Sequence, residues 1–373
     1  MLNPVTMAWQ NVVNQTFKLS ILMTAIASIG VFSGCSSTPQ KKSVSGQKVV
    51  AKNDLLDADS LDSLEDLLYA TDMRAVESDR LMVLRYGDVW RRMTVGFKLN
   101  LNVQNSRINA QRSWFISRQP YLDRLSARAS RYLYYTVKEA ERRGLPTELA
   151  LLPVIESSYD PAATSSAAAA GLWQFIPSTG KIYGLRQSDL YDGRRDVVES
   201  TRAAYEYLSS LYNQFGSWEL ALASYNAGPG RIQQAINRNI AAGLPTDYWS
   251  LRLPEETMNY VPRFLAVAQM IKSPQQYNVN LPAIANRPHF REVSIPGAIN
   301  LDELSRLTGV SRGELYALNP AHRGNFTDPL APRRILIPND VNQLVDSKIS
   351  TMQVVSGFGG LWTGGAAPLP TLA

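Results

Sequence analysis

The sequence predicts a mainly α-helical protein that ends in a small α+β module. Two observations carry this. Between about residues 107 and 271, apolar side chains recur three and four positions apart, the period of a helix that buries one face, and no comparable alternation of period two precedes about residue 290. After that point Arg291-Glu292-Val293-Ser294-Ile295 alternates as a strand does, two short helical runs follow, and Arg334-Ile335-Leu336-Ile337-Pro338 closes as a second strand. With 373 residues, 45% of them hydrophobic, the chain can fill two or three folded units.

One cysteine (Cys35) and two histidines (His289, His322) exclude, or nearly so, an internal disulfide, a Cys/His zinc site and a Ser-His-Asp triad with a histidine to spare. No metal or cofactor is implied, and the chemistry must run on carboxylates, hydroxyls, amides and aromatics. The net charge of +6 is unevenly placed: residues 1–53 hold five lysines and no acid, so the remainder carries only +1. A basic tail on a near-neutral body argues against nucleic acid as a partner.

An uncharged apolar run over residues 19–32 follows Lys18. It is short for a membrane span, which needs about 20 residues, and suits the core of a signal peptide. Phe32-Ser33-Gly34-Cys35 closes it and resembles the lipobox of bacterial lipoproteins, in which the cysteine is diacylated and becomes the first residue. That resemblance makes residues 1–35 a lipoprotein signal peptide and Cys35 the lipidation site; Ser36 and Ser37 then imply the outer membrane, with the chain facing the periplasm. The alternatives are an ordinary signal peptide, or an anchor with an incidental cysteine. Residues 36–53, rich in Ser, Lys and Gln, read as a flexible tether.

Residues 54–143 read as an N-terminal helical region. Residues 54–72 hold seven acids and no base, and residues 107–143 nine bases and three acids. Leu122, Leu125, Ala129, Leu133, Val137 and Ala140 mark a helix with Arg124, Arg128 and Arg131 on one face. That face either meets the acidic segment or an anionic substrate peptide, or is simply solvated. Pro146 suits the first turn of a further helix, on which Leu149, Leu152 and Glu156 share a stripe. Asp196 caps the next long run, Ser217 starts another, Pro229 a third, and a helix from about Pro254 to Ile271 contains Pro262, where a bend is expected.

Glu156 is the candidate for chemistry. A carboxylate on an apolar stripe is costly unless neutral or paired, and burial raises its pKa toward what a general acid needs at neutral pH. The competing reading is half of a structural ion pair. Its surroundings favour the first: Ser157 and Ser158 supply hydroxyls, residues 165–171 are small, and Gly171-Leu172-Trp173-Gln174-Phe175-Ile176-Pro177 adds aromatics and an amide. Small residues, aromatics and amides beside one acid describe a carbohydrate cleft.

Three segments extend this. Glu156-Ser157-Ser158-Tyr159-Asp160-Pro161 with Ser165 and Gly171-Leu172-Trp173-Gln174, then Ser224-Tyr225-Asn226-Ala227-Gly228-Pro229-Gly230-Arg231, then Glu256-Thr257-Met258-Asn259-Tyr260-Val261, resemble in order the three signatures of the soluble-lytic-transglycosylase (SLT) domain. The stretch Tyr191-Asp192-Gly193-Arg194-Arg195-Asp196 and the upstream helices narrow this to proteins similar to membrane-bound lytic murein transglycosylase D, over roughly residues 85–275.

The resemblance implies a lysozyme-like, mainly α catalytic domain over residues 144–272. It would cleave the β-1,4 bond between N-acetylmuramic acid and N-acetylglucosamine of peptidoglycan without adding water. It implies Glu156 as catalytic acid and Ser157, Ser165, Gln174, Tyr225, Asn226 and Tyr260 as substrate-binding residues, with Tyr260 pointing at the acid. Glu255 and Glu256 are candidates for a second carboxylate, but a charged pair at a helix start more often faces the helix dipole. Ala168 stands where the family usually has glycine, and Ser224 where alanine is more common.

Residues 273–289, punctuated by proline, read as a linker. Residues 290–339 resemble a LysM module, a β-α-α-β glycan-binding unit, without its usual opening Gly-Asp-Thr-Leu; it either grips glycan or packs on the catalytic domain. Residues 340–373 show no clear element, and disorder is expected there. The other functions open at this point are a goose-type lysozyme-like hydrolase and a non-catalytic peptidoglycan-binding lipoprotein.

Overall fold

The structure, a computed structural model, describes residues 85–355, all within the unit that spans residues 56–373. The signal peptide, Cys35, the tether, the acidic segment and residues 356–373 lie outside the described residues.

Asp88 caps α1 (Val89–Val95), its carboxylate accepting from the Trp90 and Arg91 amides, and Asn105 caps α2 (Ser106–Ile116). The single helix read over residues 122–140 is two, α3 (Gln119–Ala129) and α4 (Leu133–Arg142). The break at residues 130–132 lets Tyr132 bury its ring and donate its hydroxyl to the Ala317 carbonyl at 2.6 Å. All six apolar residues of the pattern remain buried, because steps of four on either side of the break keep one face inward. Arg124 and Arg128 are exposed, whereas Arg131 pairs with Glu314 at 2.7 Å.

The helix expected from Pro146 also comes in two pieces, a 3₁₀ turn over Thr147–Leu151 and then α5 (Leu152–Glu156). Next come α6 (Pro177–Ile182) and α7 (Val197–Phe215), the latter capped by Asp196 and closed by Gly216 at φ 68°. α8 (Trp218–Ala227), α9 (Pro229–Ala241) and α10 (Glu255–Lys272) complete the helical body. α10 runs through its centre and is buried from Tyr260 to Ile271 except at Arg263. Pro262 lies inside it and has no N–H to offer the Met258 carbonyl; the Arg107 guanidinium donates to that oxygen instead, at 3.3 Å.

The segment read as a linker is strapped to the body. Val89 N donates to Ile284 O at 2.9 Å, Trp90 Nε1 to Pro282 O at 3.0 Å, and Arg92 to Asn286 Oδ1 at 3.1 Å. Beyond it, β1 (Phe290–Ser294) pairs antiparallel with β2 (Arg334–Pro338), Val293 opposite Ile335, with α11 (Leu301–Thr308) and α12 (Arg312–Leu318) between them. This is the β-α-α-β order read from the sequence.

Order continues past residue 340. Ile349 at the end of α13 (Val345–Ile349) and Met352 just beyond it are buried with Val293, Leu304 and Ile337, and Val355 N donates to Ala298 O at 2.8 Å. The expectation of disorder therefore fails for residues 340–355. Two apolar side chains three apart make a single helical turn, too short to register as a period.

Candidate active site

α5 ends immediately after Glu156. Ser158 and Tyr159 turn to φ 53° and 58°, and Tyr159, wholly buried, meets the Thr136 hydroxyl at 3.0 Å. This abrupt stop leaves Glu156 partly buried at the helix end, facing a cleft of about 490 Å³. Ser165, Gln174, Tyr225, Asn226 and Tyr260 line the same cleft, so five of the six residues expected beside the acid converge on it. Ser157 is not among its lining residues: its hydroxyl donates to the Leu172 carbonyl at 2.9 Å, tying α5 to the following loop.

Each lining group is held by a neighbour. The Tyr260 hydroxyl donates to Glu156 Oε1. The Tyr225 hydroxyl donates to the Trp173 carbonyl at 2.7 Å, which presents its ring as wall, edge-on to Phe175. Asn226 accepts from the Thr257 hydroxyl at 2.8 Å and donates to Glu256 Oε1 at 3.2 Å, so its amide orientation is set from both ends. Gln174, at φ 48°, donates to Gly171 O at 2.9 Å, and Ser165 Oγ accepts from Ala169 N at 3.1 Å. Ala168 sits at φ 60°, so its methyl occupies the left-handed region that a glycine enters freely.

The electrostatics follow from burial. Desolvation pushes the Glu156 carboxyl up to about 7; the Tyr260 hydrogen bond and the Arg263 charge pull it down, and the Glu256 charge adds to the rise. Burial, and then the charge of Glu156, drive both Tyr225 and Tyr260 well above the usual phenol value, so both stay protonated. The site thus offers one carboxyl able to give and take a proton near neutrality, in a polar cleft with aromatic walls.

Sequence reading missed Tyr207 and Arg263 and set Glu256 aside as a dipole partner; all three line the cleft. A usable signal was present, since Glu256, Tyr260 and Arg263 are four and three residues apart and share a stripe of α10. Tyr207 carried none, being one of several aromatics on an amphipathic helix.

Comparison with known proteins matches two domains in the chain. Residues 134–243 match the transglycosylase SLT domain, and residues 289–354 the lytic transglycosylase MltD LysM-like domain. Over 267 residues the chain is 38% identical to membrane-bound lytic murein transglycosylase D of Escherichia coli strain K12, covering 71% of this chain and 59% of that one. A putative tributyltin chloride resistance protein of Alteromonas sp. strain M-1 is 39% identical over 178 residues, 48% of this chain and 84% of that one. An X-ray structure of an inactive mutant of lytic transglycosylase Slt from Pseudomonas aeruginosa overlaps 61% of this chain and 32% of that one, at 22% identity and a TM-score of 0.29.

Helical body, acid-bearing cleft and matched domain together define an SLT-domain protein. A LysM-like domain of the MltD type follows it, so the chain carries an SLT domain and an MltD-type LysM-like domain in succession. It spans 59% of the length of the Escherichia coli relative.

Proposed function

We propose that this chain cleaves the β-1,4 bond between N-acetylmuramic acid and N-acetylglucosamine in peptidoglycan without water, leaving a 1,6-anhydro end on the muramic acid. The observation that carries the proposal is Glu156, a partly buried carboxyl raised to about 7 in a cleft of aromatics and amides. Protonated Glu156 gives its proton to the glycosidic oxygen as the C1–O bond breaks. The sugar's 2-acetamido group stabilises the charge that develops at C1. The Glu156 carboxylate then takes the C6 hydroxyl proton while that oxygen bonds to C1, and the acid is restored. Tyr260 donates to Oε1, which leaves Oε2 to carry the proton toward the sugar. Gln174, Asn226 and Ser165 supply polar contacts to the glycan and Tyr225 an apolar wall, in a catalytic domain over residues 144–272.

The test is mass spectrometry of muropeptides released from purified peptidoglycan. Products one water lighter than hydrolysis products, lost with Glu156→Gln, are expected. One observation favours a second reading: Glu256 places another carboxylate in the cleft, as a hydrolase requires. Full-mass reducing products that disappear with Glu256→Gln would establish a lysozyme-like hydrolase instead.

We further infer a lipid anchor at Cys35 in the outer membrane, with the chain facing the periplasm. The segment Phe32-Ser33-Gly34-Cys35 supports this, as does the relative described as membrane-bound. Cys35→Ala should move the protein from the membrane to the soluble fraction; retention in the membrane would overturn it.

A further inference from the structure

The segment Tyr191-Asp192-Gly193-Arg194-Arg195-Asp196 lies outside the cleft, yet it joins the cleft wall to the LysM-like module. Asp192 is wholly buried and faces three guanidinium groups. Arg194 grips it at both oxygens, at 2.9 Å each, Arg195 lies at 3.5 Å, and Arg323 of the module reaches Oδ2 at 2.9 Å.

On one side these arginines hold the cleft wall. Arg194 Nη1 donates to the carbonyls of Ala168 at 2.7 Å and Phe175 at 3.1 Å. The Arg195 guanidinium donates to Ala162 O and to the Thr164 hydroxyl. The wall so held, residues 162–175, carries Ser165 and Gln174. It contains two non-glycine residues in the left-handed region, Ala168 and Gln174. Such backbone persists only where its surroundings over-determine it. At Gly171, a Cβ would lie 1.8 Å from the Arg194 carbonyl oxygen, so wall and arginine backbone are in direct contact.

On the other side the module clamps the same segment. Asp192 N donates to Ala321 O at 2.9 Å and Arg323 N to Leu190 O at 3.0 Å. Asp328 accepts from the Ser188 hydroxyl at 2.8 Å and pairs with Arg186 at 3.4 Å. In the loop between α12 and β2, Ala321, His322 and Asp328 are buried at this contact, and the His322 ring lies against Tyr191.

We propose that the LysM-like module is a positioning element of the cleft: through Arg323 and Asp328 it fixes residues 186–196, whose Asp192 aligns Arg194 and Arg195 to hold the wall at residues 162–175. Asp192, Arg194 and Arg323 are positioning residues that act through the wall rather than on the glycan. The consequence for catalysis rests on the proposed glycan-cleaving function; the mechanical link does not.

The experiment compares the full chain with Asp192→Asn and with the module-side double variant Arg323→Ala/Asp328→Ala, by hydrogen exchange and by turnover of soluble glycan strands. Faster exchange is expected at residues 162–175, with α10 unchanged. Turnover should fall about tenfold in kcat/KM, since Ser165 and Gln174 on this wall orient the glycan against Glu156 and a loosened wall misplaces it. Restoring a cation with Arg323→Lys should recover part of both. If Asp192→Asn does not fold, the double variant still decides. Exchange changes confined to residues 186–196 and 319–334 would overturn the proposal. A wild-type chain that releases nothing from glycan would remove the functional reading, while the exchange result would still decide the link.

Discussion

Glu156 and Tyr260 are 104 residues apart in sequence and share one hydrogen bond. That bond favours the carboxylate, whereas burial favours the acid and prevails, setting the carboxyl at about 7. The proposed activity should therefore decline as pH rises through about 7. Tyr260→Phe removes a contact that lowers the pKa, so the alkaline limb of its kcat/KM profile should move to higher pH; a limb that stays or moves down would contradict this. The same shift has a stability consequence. The pKa in the folded chain lies above its ordinary value of 4.5, so the stabilisation is complete below about 4.5 and is lost as pH rises through about 7. Glu156→Gln should accordingly raise Tm at pH 8 relative to wild type, with little difference at pH 4. Ala168, exposed at φ 60°, predicts a gain from its own replacement: Ala168→Gly should stabilise by about 0.5–1 kcal/mol in denaturant unfolding.

At the scale of elements, α7 depends on more than its cap. Asp196 accepts from the Val198 and Glu199 amides at 3.0 Å, accepts the Tyr191 hydroxyl at 2.8 Å, and pairs with Arg334 of β2 at 2.7 Å. Burial disfavours its charge, but the Arg334 ion pair together with the Glu199 amide and the Tyr191 hydroxyl outweighs burial and holds the carboxyl below its ordinary value. Asp196→Ala would remove the shortest ion pair of a largely buried guanidinium and should cost about 3–5 kcal/mol, against about 1 kcal/mol for loss of a cap alone. Equilibrium unfolding separates the two, and a small effect would mean that Glu199 and Glu292, which also pair with Arg334, suffice. The cap itself was legible in the sequence, because an aspartate before an apolar run is a local signal. Its partnership with Arg334 was not, since the two lie 138 residues apart.

At the scale of the molecule, helical body and module share one interior. Phe290, Leu318 and Leu336 of the module belong to the same buried cluster as Leu133, Leu152 and Phe264. Calorimetry of the full chain should therefore show one transition; two separate ones would make the module an independent unit. Leu336→Ala should lower the stability of the whole by about 2–5 kcal/mol rather than loosen the module alone.

Local patterns determined much of this protein. Helical period, the caps Asp196 and Ser217, the proline starts and the change to alternation near residue 290 each act within a few residues, so they survive in a bare sequence. Together with three short signatures they marked Glu156 and the residues around its cleft. Tertiary structure decided what depends on distant neighbours. It broke the helix at residues 130–132 for the sake of Tyr132, turned Ser157 away to Leu172, and brought Glu256 and Arg263 into the cleft. It also ordered residues 340–355 by burying Ile349 and Met352, and made a linker into a strap and a module into part of the core. The physical reason is common to all of these. Burial and buried charge are settled by groups far apart in the chain, and no window of a few residues contains both partners.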